Sequence, residues 1–194
     1  MTQQEVLNVP IRSFANAKTW RMWLEKEHAQ ANGIWLRIYK KDSDKKTVIY
    51  AEALDEALCY GWIDGQKKAF DAESFLQKFT PRRAKSLWSK RNREHVLRLT
   101  KEKRMTPSGQ AEIEAAKKDG RWEKAYDAPS TMEVPTDFLT VLKKDKNAYE
   151  FFNTLNKANK YAIAWRLQTA KKPETRAKRM ESLLAMMKEG KKLH

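Results

Sequence analysis

Apolar residues alternate with a period of two only between residues 34 and 80; from Ser86 onward every apolar pattern recurs at helical spacing. Alternation puts successive side chains on opposite faces of a strand, whereas a 3.6-residue recurrence draws one stripe along a helix. The pattern predicts an α+β fold: a small antiparallel sheet covered by helices, followed by a C-terminal helical bundle.

The stretch GIWLRIYKK sets Ile34, Leu36 and Ile38 against Trp35, Arg37 and Tyr39. A polar loop, Asp42 to Lys46, then leads into Thr47–Tyr50, which predicts a hairpin. Trp20, Trp23, Leu24 and Ala31 mark a helix over 18–31 stopped by Gly33, and Leu54, Ala57 and Leu58 mark a second over 51–61 ending at Gly61. Trp62-Ile63 and SFLQKFT continue the sheet, so residues 10–80 read as a sheet covered on one face by two helices. Trp88, Val96 and Leu99 predict a helix beginning near Ser86 or Leu87. Thr106-Pro107 and Gly120 bracket the next.

The prolines and small polar residues of DAPSTMEVP predict an extended linker at 127–135, between an α+β domain over 1–126 and a helical domain over 136–194. In the latter, Phe138, Leu139 and Leu142 form one helical pattern. Tyr149, Phe152 and Leu155 follow Asp145, and Tyr161, Ala162 and Trp165 follow Asn156. Ala177, Met180, Leu184 and Met187 form a last stripe between Pro173 and Gly190, expected as bundle core.

Charge is the compositional outlier: 40 Lys+Arg against 25 Asp+Glu leave a net +15. Residues 81–104 hold ten basic and two acidic side chains and residues 157–194 hold eleven and three, net +8 each; the rest of the chain is net −1. The single cysteine, Cys59, forbids an internal disulfide and a multi-thiolate metal site. With only His28, His95 and His194 besides, neither a metal nor a cofactor is expected. The phosphate-cradling loops GxGxxG and GxxxxGK[ST] do not occur. No apolar run reaches the ~18 residues of a membrane span. MTQQEVLNVP lacks a secretory pattern, so a cytoplasmic location is expected.

The densest constellation joins WIDGQKK, residues 62–68, to FTPRRAKSLWSKRN, residues 79–92. Pro81 ends a strand, Arg82, Arg83 and Lys85 occupy the turn, and a helix start follows. Unpaired N–H groups of that first turn and the neighbouring cations would together attract an anion. Ser86 or Ser89 adds a hydroxyl donor and Asn92 an amide, while Trp62 and Trp88 flank the turn as pocket walls. Asp64 would orient one guanidinium by salt bridging, or Asp64-Gly65 is turn chemistry. The alternative throughout is a solvated basic turn, with Ser86 a helix cap and both indoles core.

No catalytic residues are expected. Cys59 follows an apolar helix face and reads as a packed thiol rather than the partner of His28 or His95, and nothing fixes a separation for Asp64 and Asp71 as a carboxylate pair. On the C-terminal surface Arg176 and Arg179 share a helical face, with Glu174 and Lys178 spaced as an i,i+4 pair.

Taken together, ALCYGWIDG (57–65), FTPRRAKSLWSKRN (79–92) and KPETRAKRMESLL (172–184) resemble the YdeI/OmpD-associated family, also called bacteriocin-protection proteins, over nearly the whole chain. The resemblance implies a role in tolerance of cationic antimicrobial peptides or bacteriocins, and in some bacteria a link to an outer-membrane porin. By matching position it singles out Trp62, Asp64, Gly65, Pro81, Arg82, Arg83, Ser86, Trp88 and Ser89, with Glu174, Thr175 and Arg176. A chain at +15 repels cationic peptides, which disfavours their direct sequestration.

Three functional classes follow. The first is a non-enzymatic stress or tolerance protein with a small anionic ligand at the basic turn. The second is a non-specific nucleic-acid binder that lays both basic segments on a phosphate backbone. The third is an enzyme on an anionic small molecule, with Asp64 as acid or base. The C-terminal bundle is either a protein-partner module or a structural cap.

Overall fold

The computed structural model describes residues 9–127 and 131–193. The expectations placed on MTQQEVLNVP before Val9, on residues 128–130 of the 127–135 linker and on His194 fall outside the described residues. The chain divides into two compact units, residues 1–125 and 126–194.

In the first unit the elements run β1 (Ile11–Arg12), α1 (Ala17–Glu27), β2 (Ile34–Tyr39), α2 (Tyr50–Cys59), β3 (Trp62–Ala69), β4 (Ser74–Pro81), α3 (Lys90–Lys101) and α4 (Pro107–Lys118). The sheet order is β1-β2-β4-β3. β2 and β3 both pair antiparallel to β4, with Ile34 opposite Phe79 and Trp62 opposite Pro81. The sheet is mixed rather than antiparallel, because β1 pairs parallel to β2. The crossover through α1 returns the chain in the same direction, and a two-residue edge strand carries no alternation to announce it.

The expected hairpin through Thr47–Tyr50 does not form. Thr47 Oγ1 accepts the Tyr39 N–H, Val48 N–H bonds Phe14 O, and Tyr50 already begins α2. This short β-branched run satisfies its backbone without a ladder, and Val48 is fully buried. Ile34, Leu36, Ile38 and Phe79 pack with Trp20 and Leu24 of α1, Leu54, Ala57 and Leu58 of α2, Val96 and Leu99 of α3, and Ile113 and Ala116 of α4. All four helices contribute to this core, α3 and α4 both packing on α2.

The junction of α2 and α4 is close. Cys59 O accepts both the N–H and the hydroxyl of Thr106, the residue that caps α4. A Cβ at Gly109 would collide with that same carbonyl, so only glycine allows the approach.

The second unit is four helices, α5 (Thr136–Leu142), α6 (Lys146–Thr154), α7 (Lys157–Gln168) and α8 (Pro173–Lys188). Asp145 and Asn156 cap α6 and α7, as their spacing predicts. Phe138, Leu142, Phe152, Ile163, Leu167, Leu183 and Met187 form the core. Of the expected α8 stripe, Met187 is buried and Met180 and Leu184 are partly buried. Ala177 is exposed and Leu183 turns inward instead, since the helix docks by its C-terminal half.

Candidate functional site

At the basic turn the strand pairing continues one residue past β4, where Arg82 N–H bonds Gly61 O. The Arg82 side chain turns inward: it is 7% exposed, its guanidinium lies 3.7 Å from the Trp88 ring centroid, and Nη1 donates to Leu87 O. Arg83 and Lys85 are exposed, and Lys85 adopts φ +66° to turn the chain. The next helix starts at Lys90 rather than near Ser86 or Leu87. Ser89, not Ser86, caps it by accepting the Asn92 N–H.

The two guanidinium groups thus do not converge. Arg82 meets Trp88, while Arg83 stands apart in solvent. Trp62 and Trp88 are each 1% exposed and belong to the core. Trp62 donates to His28 O and packs edge-on to Trp20 and Trp23; Trp88 packs edge-on to Trp122. Ser86 O accepts from Arg121, and Arg93 lies over Trp122 and donates to its carbonyl. Guanidinium forks over indole faces and onto loop carbonyls staple the turn to the end of α4.

Asp64 is not at a turn. Asp64 and Gly65 lie within β3, where the register shifts before Lys67. The hairpin turn falls between β3 and β4, where Asp71 accepts from Glu73 N–H, Ser74 N–H and Ser74 Oγ and pairs with Arg37. Asp64 has a different partner: Tyr50 Oη donates to its Oδ2 at 2.8 Å. Burial, then the negative charge and hydrogen bond of Asp64, push the Tyr50 hydroxyl well above its ordinary pKa against the pull of Arg91. The two aspartates do not form a pair.

Tyr50 also lines a cavity of about 680 Å3 rimmed by Lys40, Lys41, Lys45 and Lys46. Sequence reasoning took Asp42 to Lys46 as a polar loop and Lys40 and Lys41 as the end of the strand stretch; the two lysine pairs that flank the loop were the signal that marks the cavity.

A minor part of the +8 of residues 81–104, the charges of Arg98 and Arg104, is answered by carboxylates from outside the segment. Arg98 and His95 bond Asp55, and Arg104 and Arg21 bond Glu56. Glu102 bonds both Arg98 and Arg104. Cys59 is fully buried, and burial followed by the nearby Glu56 charge pushes its thiol up to about 11. His28 is occupied by Ser108 Oγ and Leu24 O. Among the described residues no three His, Cys, Asp or Glu side chains gather as a metal site, and no helix is long and apolar enough to cross a membrane.

In the second unit Arg176 pairs with Asp137 and Arg179 donates to Arg166 O, while Glu174 and Lys178 do not pair. Thr175 and Arg179 line a cavity of about 520 Å3 with Trp165 and Leu183.

Two family models match the chain. Residues 12–112 match a family described as "Domain of unknown function (DUF8412)", and residues 131–190 match "Bacteriocin-protection, YdeI or OmpD-Associated". The strings at 57–65 and 79–92 fall in the first match and the string at 172–184 in the second. No curated protein and no solved structure matches.

Proposed function

The chain belongs to the family described as Domain of unknown function (DUF8412) and carries a bacteriocin-protection, YdeI or OmpD-associated match over residues 131–190, and from this we propose that it is a non-enzymatic protein of bacterial tolerance to bacteriocins and related cationic peptides. The observation that carries the reading is the match over 131–190. The protein acts in the cytoplasm and by binding, with a small anion at the outer side of the basic turn, where Arg83 and Lys85 face solvent beside Ser86. At +15 the chain repels cationic peptides within the ~8–10 Å Debye length. Protection therefore works through an anionic ligand or a partner of the helical unit, not by capturing the peptide.

The pairing of Arg98 and Arg104 with carboxylates favours a small anion over a nucleic-acid backbone, because those charges are already answered. The Tyr50 hydrogen bond to Asp64 favours a binding role over acid–base work for that carboxylate.

Survival under bacteriocin challenge tests the tolerance role: cells lacking the gene should be killed at lower doses, and unchanged survival would overturn it. Thermal shift with sulfate and phosphate tests the anion. Both should stabilise the parent, and an Arg83→Ala/Lys85→Ala variant should lose the response while folding normally.

A further inference from the structure

The cavity at Tyr39–Tyr50 is built from parts that no single ligand type other than an amphipathic anion would use together. Four lysines, Lys40, Lys41, Lys45 and Lys46, stand on its lining against one carboxylate, Glu52. That carboxylate is already occupied, since its Oε2 accepts the Ile49 N–H and so caps α2 from within. Two of the lysines are also occupied: Lys40 donates to Ala72 O at 2.6 Å and Lys45 pairs with Glu73 at 3.0 Å. Lys41 and Lys46 form no ion pair or hydrogen bond among the described residues. Asp42 and Asp44 share the loop but do not line the cavity.

Apart from Ser43 and Thr47, the rest of the lining is apolar or aromatic. Ile49 is 56% exposed, an unusual placement for a large β-branched side chain, and it lines the cavity with Ile38, Tyr39, Tyr50 and Phe75. A volume of about 680 Å3 is far more than an inorganic anion fills and suits an organic molecule. Apolar walls with a few placed charges mark a site that orients its ligand by the charges and holds it by area. Tyr50 fixes one wall, because its hydroxyl is anchored on Asp64.

We propose that this cavity binds a flat aromatic anion, its ring against Ile49 and Phe75 and its phosphate or carboxylate on Lys41 and Lys46. The site shares no residue with the outer basic turn and stands whether or not that turn takes an anion.

Isothermal titration with 1-naphthyl phosphate, 1-naphthol and inorganic phosphate tests it. The naphthyl phosphate should bind at one tight site per chain, apart from any weak phosphate binding at the basic turn, while naphthol, lacking the charge, and phosphate, lacking the ring, should each bind this site at least about tenfold more weakly. Lys41→Ala/Lys46→Ala should weaken naphthyl phosphate about ten- to hundredfold by removing two charge-assisted contacts, and Ile49→Ser should weaken it several-fold. Arg83→Ala/Lys85→Ala should leave the tight site unchanged and remove only the weak phosphate binding of the basic turn. All of these positions are solvent-exposed, so an unaltered denaturation midpoint confirms folding. No binding of naphthyl phosphate, or equal binding by the Lys41/Lys46 variant, overturns the site. Loss confined to the Arg83/Lys85 variant relocates the anion to the basic turn and overturns it equally.

Discussion

Asp55 accepts hydrogen bonds from His95 and from Arg98, and its side chain is only 13% exposed. Burial would push its carboxyl up, but the bonds and charges of Arg98 and His95 outweigh burial and hold it below its ordinary value. A carboxyl depressed in the folded state contributes stability at all pH values above its unfolded pKa, and that contribution fades as pH falls through the folded value. Asp55→Asn should therefore lose about 2 kcal/mol at neutral pH, where charge-assisted bonds to a partly exposed arginine count. The gap from the parent should close as the pH drops below about 4. Urea melts from pH 7 down to pH 2 read both effects; a gap that does not shrink as the pH falls would assign the loss to packing instead.

At the scale of elements, the helices were legible because their stripes and caps are local. Asn156 and Asp145 name their own helix starts, and Thr106-Pro107 with Gly120 at φ +73° brackets α4 as read. The start of α3 was misplaced because Ser86 and Ser89 are equally good cap residues by type, while Ser86 bonds Arg83 O through its N–H and Arg121 through its carbonyl, the latter a partner 35 residues away that no local pattern announces. Strand β1 and the unpaired Thr47–Tyr50 stretch turn on contacts from Pro10 and Phe14, which no period encodes. The candidate site was less legible. Trp62, Asp64, Arg82 and Trp88 do lie around the β3–β4 end, but a charged residue reads as solvated, and Arg82 goes inside onto an indole. The two halves of the turn are thus energetically unlike. Arg82→Ala should cost about 2 kcal/mol, as a desolvated cation–π contact is lost, whereas Arg83→Ala should stay within about 0.5 kcal/mol. Equal costs in denaturant titrations would contradict the inward placement of one guanidinium.

Over the described residues most buried apolar side chains fall into two clusters, one in each unit, with Trp35, Leu76 and Ala164 outside both. Six of the seven tryptophans, all but Trp165, lie in the first unit. Indole fluorescence therefore reports mainly on that unit, while far-ultraviolet ellipticity also reports α5–α8. Phe138→Ala, which empties a fully buried site in the second core, should cost that unit about 4 kcal/mol. Ellipticity should then fall before fluorescence on heating; coincident transitions would mean that the units melt as one.

The doubly bonded carbonyl of Cys59 has a consequence for how the chain comes together. Residue 106 closes the end of one helix and opens another that lies 47 positions later in the chain. Tyr60 and Gly61 already close α2 onto Ala57 and Leu58, but the Cys59 carbonyl waits for both of its donors until Thr106 has been synthesised. A nascent chain halted before that threonine would therefore lack the bonds that join α2 to α4.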